Sequence, residues 1–207
     1  MRKIPRSLKS IGVNNPQRMR IAILGWGSLI PELRGLPVEG DWQRGGPVVP
    51  IEFSRISQAG DRAGCLTLVV DPINGVPVTT QFIQSSRRIL TEAVDDLVIR
   101  EGTSKNRIGV VDLQAQTISS WALAQHPSAC QVIRNWAINN GFDAVIWTAL
   151  TSNFEQVLKQ PFSVAAALTY CQGLTGGTRR NALEYIRTAP GSTQTPFREE
   201  IARLFLQ

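Results

Sequence analysis

A chain of 207 residues, 43% hydrophobic and 18% charged, is long enough to bury a sizeable core as one domain with appendages. No apolar run approaches a membrane span, and the basic N-terminal segment lacks an apolar h-region, so neither a membrane anchor nor a signal peptide is predicted. The formal charge of +6 does not point to nucleic acid. Six of the 22 basic residues (Arg2, Lys3, Arg6, Lys9, Arg18, Arg20) fall in the first twenty positions, which hold no Asp or Glu, and the other 16 are balanced by 16 acidic residues.

Residues 1–18 read as a basic, solvated or disordered tail, with an electrostatic arm for an acidic partner as the weaker alternative. Met19 is a second candidate start, because the first apolar strand begins two residues later. Cys65, Cys130 and Cys171 are scattered and form no CxxC pair, which argues against a disulfide framework or a zinc site and fits a reducing, cytoplasmic setting. The single histidine, His126, precedes Pro127 and reads as a loop residue at a helix start.

Ile21-Ala22-Ile23-Leu24 predicts a short strand covered on both faces, running into the loop Gly25-Trp26-Gly27-Ser28-Leu29. Gly25 and Gly27 are expected to supply positive φ and a close backbone approach, Trp26 a flat wall and Ser28 a hydroxyl. Pro31 to Pro50 is crowded with Pro and Gly, which excludes a helix and predicts irregular structure. It also excludes a dinucleotide fingerprint, since Ile30 and Pro31 stand where the third glycine and the helix would be.

Three strands follow: Val48 to Ser57, read as an edge or bent strand because of Pro50; Cys65 to Val70; and Val76 to Gln84. Within the first, Phe53, Arg55 and Ser57 share one face if the strand is regular. Arg55 then points inward toward a carboxylate, or else outward with Ile56 in the core. Ser86 to about Ile99 predicts an amphipathic helix capped by Ser85 or Ser86 and ended by Gly102, placing Glu101 at its exit and Asp95-Asp96 on its solvated face. A strand at Arg107 to Leu113, a helix at Pro127 to Asn140 and a strand at Asp143 to Leu150 carrying Trp147 complete this part. Helices at Asn153–Lys159, Ser163–Leu174, Arg179–Thr188 and Pro196–Phe205 form the rest. Strands early and helices late give an α+β protein of about six strands.

Two of these stretches together resemble motifs of the gamma-glutamylcyclotransferase-like superfamily. Gly25-Trp26-Gly27-Ser28-Leu29 looks like the family's Tyr-Gly-Ser loop after the first strand, and Arg100-Glu101-Gly102 before Ile108-Gly109-Val110-Val111 looks like its Glu-Gly at a helix end. The resemblance spans Ile21 to Leu150, and the segment from Thr151 onward looks like the helical extension of a bacterial branch of the superfamily. It departs from the pattern at Trp26, where the family has Tyr, and at Leu29, where it has Asn. The resemblance implies a small mixed β-barrel with flanking helices over residues 19–150 and a helical extension over 151–207 packed on it.

It also implies a transferase- or lyase-type reaction without metal or organic cofactor. The α-amino group of a gamma-glutamyl amide attacks its own γ-carbonyl, releasing 5-oxoproline and an amine. Glu101 is the implied general acid/base, its pKa expected to be raised among Val98, Ile99 and Ile108. Gly25, Trp26, Gly27, Ser28 and Leu29 would cradle the substrate, with Arg55, Ser57 and Trp147 as further lining. The expected partner is therefore a small gamma-glutamyl amide or similar ligand, with neither nucleic acid nor membrane. The alternatives are a ligand-binding module that keeps the pocket without turnover, with Trp26 stacking on the ligand, and a scaffold acting through the C-terminal helices.

Overall fold

The computed structural model describes residues 19–205, so the expectations for the basic tail lie outside the described residues. Seven strands form one mixed sheet: β1 (Ile21–Gly25), β2 (Val38–Ile56), β3 (Leu66–Val70), β4 (Val76–Ser85), β5 (Ile108–Asp112), β6 (Thr117–Ile118) and β7 (Ala144–Thr148). Their order is β3-β2-β4-β1-β7-β5-β6, with β1 and β7 parallel and every other pair antiparallel. Seven α-helices accompany it among the described residues: α1 (Leu90–Glu101), α2 (Ser120–Gln125), α3 (Pro127–Asn139), α4 (Phe154–Leu158), α5 (Val164–Gly173), α6 (Gly176–Thr188) and α7 (Pro196–Phe205). The protein is α+β, with one strand more than the pattern suggested.

The sheet is open, which corrects the expectation of a barrel. Its edges are β3 and β6, and β6 has only two residues before Ser119 leads the chain into α2. Too little backbone is left there for a ladder that would close the sheet.

β1 lies at the centre and is buried on both faces, as its unbroken apolar run requires. Ile21 and Ile23 face one layer with Ile83, Ile146 and Ala93, Val94 and Leu97 of α1. Ala22 and Leu24 face the other, with Val145, Trp147, the inner faces of α3 and α5, and Tyr185 and Phe197 of α6 and α7. Phe53 of β2 meets Tyr185 edge-on at 6.0 Å and Phe197 at 5.5 Å, which seats the C-terminal helices on the sheet.

β2 departs most from the sequence-based expectation. Val38 to Pro47, expected to be irregular, is strand and pairs with β4. Gly40 (φ 70°) and Gly45 (φ 85°) coincide with the two register shifts of this ladder, so they act as bulges rather than loop breakers. Pro50 does not mark an edge either. It pairs with Pro77 of β4, a position where neither residue has an N–H to donate, and its carbonyl accepts from Asp71 N on the other side, just past the end of β3.

α1 starts four residues later than expected, at Leu90, so the N-cap position falls on Ile89, which supplies no side-chain cap, rather than on Ser85 or Ser86; the Ser85 hydroxyl accepts from Arg87 N instead. Its end is as expected: Gly102 is left-handed (φ 59°) and its N–H bonds back to Val98 and Ile99 carbonyls. Pro127 opens α3 at a position needing no N–H, and His126 is its N-cap residue, fully buried. No helix among the described residues is long and apolar enough to cross a membrane.

Candidate functional site

The carboxyl ends of the parallel strands β1 and β7 open on one side of the sheet. A cavity of about 440 Å³ lies there, lined by the Gly25–Leu29 loop after β1, by Thr148 and Leu150 after β7, by the last turn of α1, and by Tyr185 of α6. Open α/β sheets bind ligands at the same end of parallel strands, where the chain leaves them for separate loops. The cavity is of the size that small-molecule sites occupy.

Of the site residues expected from the sequence, Gly25, Trp26, Gly27, Ser28, Leu29, Arg55, Ser57 and Glu101 all line this cavity. Trp147 does not. Side chains alternate along β7, so Thr148 reaches the cavity while Trp147 turns into the opposite layer, fully buried against Gly109. A Cβ at Gly109 would stand 2.1 Å from the Trp147 ring, so that glycine makes room for the indole.

Gly25 and Gly27 are needed for a different reason than expected. Neither adopts positive φ. A Cβ on Gly25 would come within 2.7 Å of the Trp42 ring, and one on Gly27 within 2.9 Å of the Tyr185 hydroxyl. They are glycines because aromatic side chains from β2 and α6 press on the loop. Trp26 is only 7% exposed; its indole N–H points at the Leu68 carbonyl at 3.5 Å, and its own carbonyl accepts from the Thr193 hydroxyl. It is a wall set into the core rather than a plate open to a ligand.

Arg100 is the residue that the sequence concealed. Its place in the sequence points to no role beyond standing beside Glu101, yet it is 8% exposed. Its guanidinium donates to the carbonyls of Ser28 (2.9 Å) and Glu32 (3.1 Å from Nε) and pairs with Glu101 Oε1 at 2.5 Å. One buried fork thus ties the catalytic candidate to the glycine loop. Glu101 keeps 17% of its side chain exposed and lines the cavity.

Arg62 extends the network. It donates to Ser28 Oγ (3.0 Å) and Glu32 Oε1 (3.0 Å) and lies 5.0 Å over the Tyr185 ring. Burial works against ionisation of Glu32, but its hydrogen bonds and charge contacts with Arg34 and Arg62 prevail and hold its pKa low. Tyr185 accepts from Leu68 N at 3.2 Å, and burial pushes its pKa up to about 12, so it stays a neutral phenol. Among the described residues, Tyr185 is the one lining group from the C-terminal helices, and nothing in its local sequence distinguishes it.

Arg55 settles between the two orientations considered for it. The ladder between β2 and β3 slips between Glu52 and Arg55, so Phe53 and Ile56 are both buried while Arg55 lines the cavity. Its only side-chain bond goes to the Thr151 carbonyl (2.9 Å), with no carboxylate partner among the described residues. Burial first, and then the charge of Arg107, lower its pKa. Of the four arginines that line the cavity, Arg34 and Arg62 pair with Glu32 and Arg100 with Glu101, which leaves Arg55 as the lining cation without a carboxylate partner among the described residues.

No group of three or more His, Cys, Asp or Glu positioned to hold a metal ion occurs among the described residues. Cys65, Cys130 and Cys171 are buried and unbridged, and burial pushes the Cys130 and Cys171 thiols up to about 11 and 12. Comparison with known proteins finds no matching family model, curated protein or solved structure.

Proposed function

We propose that this protein carries out cofactor-free intramolecular cyclotransfer on a gamma-glutamyl amide, or a closely related amide cleavage, within a gamma-glutamylcyclotransferase-like fold whose sheet has stayed open. The observation that supports this reading best is the Arg100 fork, which holds Glu101 and the Gly25–Leu29 loop against one cavity. The two sequence motifs, 72 positions apart between Ser28 and Arg100, are in direct contact there.

In this reading the substrate folds back on itself in the cavity, which removes much of the entropic cost of ring closure. Its α-carboxylate meets Arg55, whose guanidinium retains free donors. Glu101 takes a proton from the substrate α-ammonium. The freed amine attacks the γ-carbonyl and the new C–N bond closes the five-membered ring; the original amide C–N bond breaks as Glu101 returns that proton to the leaving nitrogen, and the second proton shed by the ring nitrogen passes to the released amine, which departs as an ammonium. The products are 5-oxoproline and an amine. A stacking role for Trp26 in a pure binding module loses support from its burial.

The test is 5-oxoproline release from a panel of gamma-glutamyl amines and peptides, with Glu101→Gln alongside. Release by the wild type and its loss in the variant support the reaction and the base together. No release from any member of the panel overturns the proposal.

A further inference from the structure

A second cavity, of about 520 Å³, adjoins the first and shares Arg55 and Leu150 with it. Its lining includes Arg55, Arg107, Trp121 and the amides of Gln58, Gln125 and Gln156, and no carboxylate among the described residues. Arg107 sits over Trp121, its guanidinium carbon 3.6 Å from the ring centroid. The Trp121 Nε1–H is fixed on the Ala149 carbonyl at 2.8 Å, so the ring is a rigid platform for the cation. Held over the ring, the Arg107 guanidinium keeps its five N–H donors without a hydrogen bond to the described residues.

Arg55 contributes the second guanidinium. One of its terminal nitrogens is bound to Thr151 and the rest are free. Two half-buried cations placed close enough to repel one another are unfavourable unless something negative joins them. Neither has a carboxylate partner among the described residues, whereas Arg62, Arg87, Arg88 and Arg100 all do. We infer that this second cavity is an anion site in which Arg55 and Arg107 together hold a carboxylate or a phosphate group. Planar guanidinium forks suit both, and the three glutamine amides add neutral donors around them. Because Arg55 lines both cavities, occupants of the two draw on one guanidinium and are coupled through it.

The assignment does not depend on the amide chemistry, and its test reads binding alone. The indole N–H signal of Trp121 in the ¹⁵N-labelled full chain, assigned with Trp121→Phe, is followed during titration with inorganic phosphate and, separately, with succinate. Sodium chloride at matched ionic strength controls for screening. The expected result is a saturable shift with at least one probe, phosphate alone defining a phosphate site and succinate alone a carboxylate site. Arg107→Gln weakens that binding about tenfold, the loss of one charge-assisted partner. Because Arg107→Gln also removes the ring contact, Arg55→Gln is read beside it. A shift that merely tracks sodium chloride, or wild-type affinity retained in either variant, overturns the inference.

Discussion

Glu101 and Glu52 are both shielded carboxylates, one on the last turn of α1 and the other in β2, and their surroundings differ in kind. Glu101 faces a cavity, keeps part of its surface open and is held by a buried cation. Glu52 is 1% exposed, lines neither cavity and has no cationic partner among the described residues. Its Oε1 accepts from Phe53 N (2.7 Å) and the Thr195 hydroxyl (2.5 Å), while Oε2 makes no hydrogen bond of good geometry. Burial foremost, helped by the charge of nearby Asp71, raises its pKa against those hydrogen bonds. A shifted carboxylate is therefore not by itself a sign of chemistry in this molecule. What separates the two is access to a ligand and a cation that orients the group.

The largest effect expected from that contrast is on turnover. Glu101→Gln should slow 5-oxoproline release by about 10²–10⁴-fold while leaving substrate binding, read by calorimetry, nearly intact. Glu52→Gln should leave the rate unchanged. The reverse pattern would break the comparison at its root.

Arg100→Met comes next. It removes the guanidinium from two loop carbonyls and from Glu101, and losing one partner of a buried pair costs about 3–5 kcal/mol, measurable by urea denaturation. A variant as stable as the wild type would show that Arg100 does not carry the loop.

Gly27→Ala is expected to cost about 1–3 kcal/mol through overpacking against the Tyr185 hydroxyl. Combining it with Tyr185→Phe should recover part of that loss, although Tyr185→Phe alone gives up the bond from Leu68 N. Denaturation of the two single variants and the double variant yields the coupling; additive losses would mean that the hydroxyl is not what excludes a side chain at position 27.

The smallest effect is a pH slope. Glu52 has a pKa above its ordinary 4.5 in the folded state, so folding takes up a proton between 4.5 and that raised value. Stability falls as pH rises through this window, and Glu52→Gln should abolish the fall. Burial lowers the pKa of His126 despite the nearby Asp71 and Val70 carbonyl, which gives the opposite slope: stability is lost as pH falls from 6.5 through the lowered value. The difference between wild type and Glu52→Gln in urea midpoint against pH isolates the carboxylate, and a difference that does not vary with pH would show Glu52 to be uncoupled from folding.

Much of the fold is legible in local patterns because those patterns are local physics. The apolar run of β1, the one-sided stripe of α1 with Gly102 behind it, Pro127 at the head of α3 and Pro196 at the head of α7 each constrain their own few residues. The glycines of β2 misled because a glycine at positive φ serves a loop and a bulge equally well, and only the β4 partner makes Gly40 and Gly45 bulges. The two-residue β6 and the six-residue α2 are too short to leave a period.

The site divides along the same line. The strand-to-loop transition at Gly25, the placement of Glu101 at the exit of a helix, and the gathering of apolar residues onto both faces of β1 were determined by the sequence alone, because propensity, capping and periodicity act within a few residues. Tertiary structure alone decided that Arg100 is buried rather than solvated, that Trp147 turns away from the cavity, and that Tyr185 arrives from 158 positions beyond Gly27 to press on the loop. Those outcomes depend on which surfaces the packed sheet brings together, and a neighbour's side chain, not the residue's own context, supplies the energy that decides them.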